Sequence, residues 1–333
     1  DWIHSAHKLS SFNNPAYRAS VRETRQIATD RDGSLQASRW CAGCHDPVPF
    51  FSGKFDDPNY DDVDDVTAHA GITCTACHAI QSIDSNVGNA DYTIDEPHHY
   101  PFAYSDSTTL QSLSDLMVKA KPAFHKSEML KPFHKTTEFC GTCHKVSLPG
   151  ELTAYKDWLR GQNHYDSFLL SGVSGHGARS FYYPPKAQKN CNECHMPAVA
   201  SDQFGAKYRD ELGQLAVLDH RFPSANSALS YWTGDQAGIE AHRRLLENSL
   251  RLDLFGLRTG GSIEGELIAP LPNQGASVVK GESYLIETVL RTLTLGHHFT
   301  EGTTDSNQVW IEFTATQDGK VIGTSGERDS RER

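Results

Sequence analysis

The chain of 333 residues holds its eight cysteines in four pairs, each pair spaced Cys-x-x-Cys and each followed at once by a histidine. The four stretches are Cys41-Ala-Gly-Cys44-His45, Cys74-Thr-Ala-Cys77-His78, Cys140-Gly-Thr-Cys143-His144 and Cys191-Asn-Glu-Cys194-His195, and no cysteine is left over. Two thiols three positions apart sit on one face of a single helical turn. From there they can add to the two vinyl groups of one haem, and the next residue aims an imidazole at the iron. A zinc site also uses Cys-x-x-Cys pairs, and a thioredoxin-like site uses one. Neither requires histidine directly after every second cysteine. Only 17 of the 333 residues are histidine, so four such coincidences weigh against both rivals. The reading is four sites of covalent haem attachment, with His45, His78, His144 and His195 as proximal iron ligands. Such attachment is made outside the cytoplasm, which places the protein in the periplasm or outside the cell.

Thirteen histidines remain, and four haems that only pass electrons would use four more as distal ligands. Context selects His7 in Trp2-Ile-His-Ser5-Ala-His7, His125 in Ala-Phe-His125, His220 in Asp219-His220-Arg-Phe222 and His297 in Gly296-His297-His298-Phe299. A second group is His69, His99, His134, His164 and His176. His69 stands five residues before Cys74, too short a reach for its own haem, so it is expected at a neighbouring one. His4 sits one turn from His7 and competes with it, His98 lies in loop-like sequence, and His242 is expected in a solvent or core role on a helix. Met196 follows His195 too closely to reach the opposite face of the same haem. It reads as packing, as do Met117 and Met129.

Hydrophobic residues make up 38% of the chain, which is low for this length unless bound macrocycles supply part of the core. The net charge of -11 argues against nucleic acid and for redox partners with basic docking surfaces. No apolar run approaches the roughly 18 residues of a membrane span. Asp1 opens polar sequence, which reads as a mature or trimmed form. The acidic run from Asp56 to Asp65 (Asp56, Asp57, Asp61, Asp62, Asp64 and Asp65) is either a solvated loop or a calcium site, since hard cations want clustered carboxylates.

The expected fold is a mainly helical and irregular domain packed around four haems over residues 1–225, then a helical linker over 226–261. An antiparallel β-sandwich with a charged tail follows over 262–333. Helices are expected near Pro15–Thr29, Thr108–Ala120, Leu152–Leu159 and Gln236–Leu250. The intervals of 33, 66 and 51 residues between first cysteines exclude a strict repeat. Alternating runs from Ser283 and from Gln308 read as strands, and Gln317-Asp-Gly-Lys320 reads as a hairpin turn.

These residues together resemble the multihaem c-type cytochromes related to the tetrahaem cytochrome of ammonia oxidisers, and more distantly hydroxylamine oxidoreductase. The resemblance rests on Trp2-x-x-Ser5-x-His7, the four attachment motifs, Cys194-His195-Met196-Pro197 and His220-Arg-Phe222, and covers about residues 1–225. It implies distal roles for His7 and His220. The Gly296–Phe299 stretch resembles a β-domain appended to larger members. Members often carry another attachment motif just before the Trp-x-x-Ser-x-His segment, and this chain begins after that point. Electron transfer is the leading expectation. One alternative is an oxidoreductase acting on a small nitrogen or sulfur compound at one open haem, with Arg179, Tyr182 and Tyr183 nearby. The other is a homo-oligomer or filament in which one subunit caps a haem of the next.

Overall fold

The structure is a computed structural model. It describes residues 1–149, 158–182, 190–203, 212–225, 227–272, 275–301 and 308–328, with 187, 206 and 208–210. The chain begins with α1 (Pro15–Asp32), α2 (Arg39–His45), α3 (Pro47–Phe51) and α4 (Cys74–His78). A hairpin of β1 (Ile80–Ile83) and β2 (Tyr92–Ile94) follows, then α5 (Thr108–Ala120), α6 (Pro122–Met129) and α7 (Thr137–His144). Next come β3 (Lys145–Pro149), β4 (Trp158–Asn163), α8 (His164–Leu170), α9 (Ala178–Tyr182) and α10 (Asn192–His195). The small sheet β5 (Ala198–Ala200), β6 (Tyr208–Arg209) and β7 (Leu215–Leu218) leads to α11 (Ser227–Trp232) and α12 (Gln236–Leu246). The chain closes with β8 (Leu250–Thr259), β9 (Leu267–Ile268), β10 (Tyr284–Thr292), β11 (Phe313–Gln317) and β12 (Lys320–Ser325). The fold therefore mixes short helices with small antiparallel sheets.

Local chemistry explains the helix ends. Asn14 accepts from the backbone N–H groups of Ala16 and Tyr17, Pro15 opens α1, and Gly33 at φ 65° ends it in the left-handed conformation. Thr73 caps α4 through Ala76 N, and Thr136 caps α7 through Phe139 N. Each attachment motif thus forms a short helix whose last residue is the motif histidine.

The expected helix at 108–120 is observed at those bounds, and the one from Pro15 runs on to Asp32. The helix from Gln236 stops at Leu246 rather than Leu250, because Leu250 opens β8. Strand structure therefore begins inside the expected 226–261 linker. Of the helix expected at Leu152–Leu159, residues 152–157 lie outside the described residues, and Trp158 and Leu159 belong to β4. The turn at Asp318-Gly319 has φ 49° and 76° and joins β11 to β12 as a tight hairpin. The strand expected from Gln308 starts only at Phe313.

The expected β-sandwich is corrected to two separate antiparallel sheets, ordered β10-β8-β9 and β11-β12. Leu252, Leu254, Leu290, Val321 and Ile322 are all exposed. Among the described residues no apolar side chain of either sheet is buried, so the two sheets share no core. In the whole described chain only thirteen apolar residues are buried, five of them alanines. The one apolar cluster joins Phe12, Val21, Ala42, Phe55 and Ala68, with Tyr17, Cys41, Phe50 and Tyr60 against it. It is built around the first attachment motif.

Candidate functional site

The four attachment helices converge on α7. The Cys44 thiol lies in hydrogen-bond reach of Cys143, and that of Cys140 in reach of Cys191. Cys77 is close enough to Cys140 and Cys143 for charge repulsion to be felt. All eight cysteines are free thiols in the structure, with no disulfide among them. Burial pushes Cys41 up to about 11 and Cys77 up to about 12, so these thiols are protonated at neutral pH.

Three of the four motif histidines share one hydrogen-bonding pattern. Nδ1 of His45 donates to the Ser10 carbonyl at 3.0 Å, that of His78 to Met129, and that of His195 to Pro223 at 2.8 Å. A carbonyl only accepts, so Nδ1 carries the proton and Nε2 keeps its lone pair. This is the arrangement that fixes an imidazole for metal ligation through Nε2. Two of the expected distal histidines do the same: Nδ1 of His220 donates to Leu218 O at 2.9 Å, and that of His297 to His298 O at 3.0 Å.

Ring spacing separates the distal candidates. A metal–imidazole bond of about 2 Å on each side, plus half of each ring, puts two opposed imidazole centroids roughly 6 Å apart. The His7 and His144 centroids are 6.1 Å apart, and those of His195 and His297 are 6.2 Å apart with planes only 8° from parallel. His134 lies 4.9 Å from His78, and both of its ring nitrogens are buried without a hydrogen-bond partner among the described residues. Two orphaned nitrogens cost about 1–3 kcal/mol each, and a bond from one of them to a metal would remove part of that cost. His164 stands between His144 at 5.4 Å and His297 at 5.2 Å, with a buried, unpartnered Nδ1.

The other candidates are placed elsewhere. Nε2 of His69 donates to Val63 O, and Nε2 of His99 pairs with the Tyr104 hydroxyl, so neither offers that atom. His125 is exposed on α6, near enough to His78 to depress its basicity, and His176 is exposed in a turn after Ser174. His4 pairs with Asp235 at 2.9 Å rather than competing with His7, and His98 pairs with Glu128. His242 is buried against Ser224 and has a core role, and Met196 is buried. Tyr182 is exposed, while the side chains of Arg179 and Tyr183 lie outside the described residues.

His297 reaches its place because the β10–β11 connection docks on α8. A Cβ on Gly296 would come 3.0 Å from the Phe168 ring, and Ser167 Oγ donates to Glu301 at 2.5 Å. His7 is held by a comparable set of ties. Trp2 Nε1 donates to Ile72 O at 2.9 Å, Ser5 Oγ to Trp2 O at 2.7 Å, and Phe222 packs edge-on at 4.5 Å from His7. Sequence reading ranked His134 and His164 low. Their signal is the loss of hydrogen-bond partners on folding, which no local pattern announces.

In the acidic run most carboxylates have partners within the chain. Asp56 pairs with Arg39, Asp62 with Arg22 and Asp65 with Lys54, while Asp57 and Asp61 cap turns of their own loop. Among the described residues no three His, Cys, Asp or Glu side chains gather as a metal-binding group. Haem iron asks for only two, since the porphyrin supplies the other four ligands. The histidine pairs and the cysteine turns therefore fit haem better than they fit a bare cation.

Burial keeps the clustered imidazoles neutral. It lowers His7 to about 4, with His220 adding repulsion. His134 is lowered to about 4 and His144 to about 3, with His78 and His164 respectively adding repulsion. The unfolded chain then binds more protons than the folded one between the ordinary value of 6.5 and these lowered values. Their contribution to stability is whole above pH 6.5 and is lost as pH falls toward 4. Asp46, raised to about 6 by burial, has the opposite sign and gains stability as pH falls through 6. Three histidines outweigh one aspartate. For the haem-free polypeptide, in which these imidazoles hold no iron, the thermal midpoint is expected to fall steadily over that interval in a calorimetric pH series, and a midpoint that is flat or rising would contradict it.

Comparison of the chain with protein-family models, curated proteins and solved structures gave no match.

Proposed function

We propose that this chain is a tetrahaem c-type cytochrome that transfers electrons outside the cytoplasm. The observation that carries the reading is the shared Nδ1-to-carbonyl hydrogen bond of His45, His78 and His195. It leaves Nε2 bare on the residue directly after three of the four pairs of thiols. When bound, haem supplies one-electron chemistry at its iron. The chain's own residues do the rest. The paired cysteines anchor by thioether bonds, and the motif histidines ligate from the proximal side with orientations fixed by Ser10, Met129 and Pro223. His7 lies 6.1 Å from His144 and His297 lies 6.2 Å from His195, the spacing of two ligands on one iron. His134, 4.9 Å from His78, is nearer than that spacing and would have to move outward to share an iron with it. Two ligands on an iron leave no position for substrate, so the pairs at His144 and His195 favour a conduit over a catalyst there.

The net charge of -11 suits partners with basic docking surfaces. Among the described residues no helix is long and apolar enough to cross a membrane. The deciding measurement is the intact mass and visible spectrum of the mature protein. The expected result is the polypeptide plus four haems, with wholly low-spin ferric signals in paramagnetic resonance. A colourless protein with the mass of its amino acids alone ends the reading, and a high-spin signal that shifts with nitrite would move it from conduit to enzyme.

A further inference from the structure

The loop of residues 88–92 touches two attachment sites at once. On one side Ala90 N donates to Thr142 O at 2.7 Å and Asn89 N to Lys145 O at 2.9 Å, while Asn89 Oδ1 accepts from Ser147 N at 2.9 Å. On the other side Tyr92 Oη donates to Gly43 O at 2.7 Å. Gly43 sits so near that an added Cβ would fall 2.7 Å from the Cβ of Ala90. Gly88, Asn89 and Ala90 run consecutively at φ 83°, 60° and 58°. Non-glycine residues avoid that region, so surrounding contacts must hold the loop there. At Gly88 a Cβ would lie 2.0 Å from Lys145 O, which only glycine permits. Cys44, next to Gly43, lies in hydrogen-bond reach of Cys143, next to Thr142.

We propose that Asn89, Ala90 and Tyr92 are positioning residues that set the separation of the first and third attachment sites, holding the two haems there as one closely coupled pair. The proposal rests on the tetrahaem reading and adds a role for residues outside every motif. Neither the Cys-x-x-Cys-His spacing nor the histidines fix how far apart two sites lie. The loop does, through hydrogen bonds to the backbone of both helices.

The test uses the mature holoprotein and paramagnetic resonance of its oxidised irons. Gly43→Val drives a side chain against Ala90 and forces the loop away from α2, and Tyr92→Phe removes one hydrogen bond. Glu193→Val changes the same position of the fourth motif, where the side chain is exposed, and serves as control. The wild type should show broadened signals from two interacting ferric irons. Both test variants should keep four haems by mass and lose that interaction, while the control keeps it. Four isolated signals in the wild type, or coupling undiminished in both variants, would overturn the spacer role. If Gly43→Val fails to fold, the wild-type spectrum and Tyr92→Phe still decide. A haem-free mass would end the tetrahaem reading itself, whereas four haems without coupling would end the spacer alone.

Discussion

Alanine at both Cys140 and Cys143 is expected to remove one haem from the protein and to loosen the first and fourth sites with it. Helix α7 lies at the centre of the site. Its two thiols touch Cys44 and Cys191, and a Cβ on its Gly141 would come 2.6 Å from the Tyr165 ring. Losing a macrocycle there would leave a gap lined by other sites, and large core deletions cost about 2–5 kcal/mol. The paired control is Cys74→Ala with Cys77→Ala, which removes a haem where Cys74 is exposed. Mass spectrometry should show one haem lost from each double variant. Thermal denaturation should show the larger drop for the α7 pair. Equal drops would mean that α7 has no central place.

The second large effect is expected at His297. His297→Ala should convert one of four irons from low to high spin, with the mass otherwise unchanged and the low-spin signal restored by added imidazole. The reason is spacing: the His297 ring lies 6.2 Å from that of His195 with planes 8° from parallel, and its Nδ1 is already engaged by the His298 carbonyl. Its neighbour His298 lacks any such placement, with a side chain 86% exposed, so His298→Ala should leave the spectrum as it was. An unchanged spectrum for His297→Ala would reassign the ligand, with His164 next in line, 5.2 Å from His297 and near enough to His195 to feel its charge.

The attachment helices were legible in the sequence because their geometry is local: five consecutive residues decide it. The Asp318-Gly319 turn was similarly local. His297 was legible as a Gly-His-His sequence, but the reason it arrives at His195 is the docking of Gly296 and Glu301 on α8, a contact over more than a hundred residues. His134 was underrated because burial of both its nitrogens depends on Phe133, Phe139 and His78 folding around it. The β-sandwich failed for a different reason. Alternation identifies strands β8 and β10 and their faces, but it does not say what covers them, and here the large side chains stay exposed. The end of α12 was missed although Glu247-Asn248-Ser249 interrupts the apolar pattern, and Asn248 at φ 62° turns the chain out of the helix before β8 opens at Leu250.

The apolar cluster of Phe12, Val21, Ala42, Phe55 and Ala68 has one consequence for how such a chain matures. It gives the first motif helix a foothold made of polypeptide alone, the cluster of buried apolar side chains found among the described residues. On the proposed haem-binding reading, order would therefore spread from the N-terminal helices outward. The first thiol pair would meet its porphyrin on a preformed platform, and later pairs would become rigid as the pigment beside them is installed.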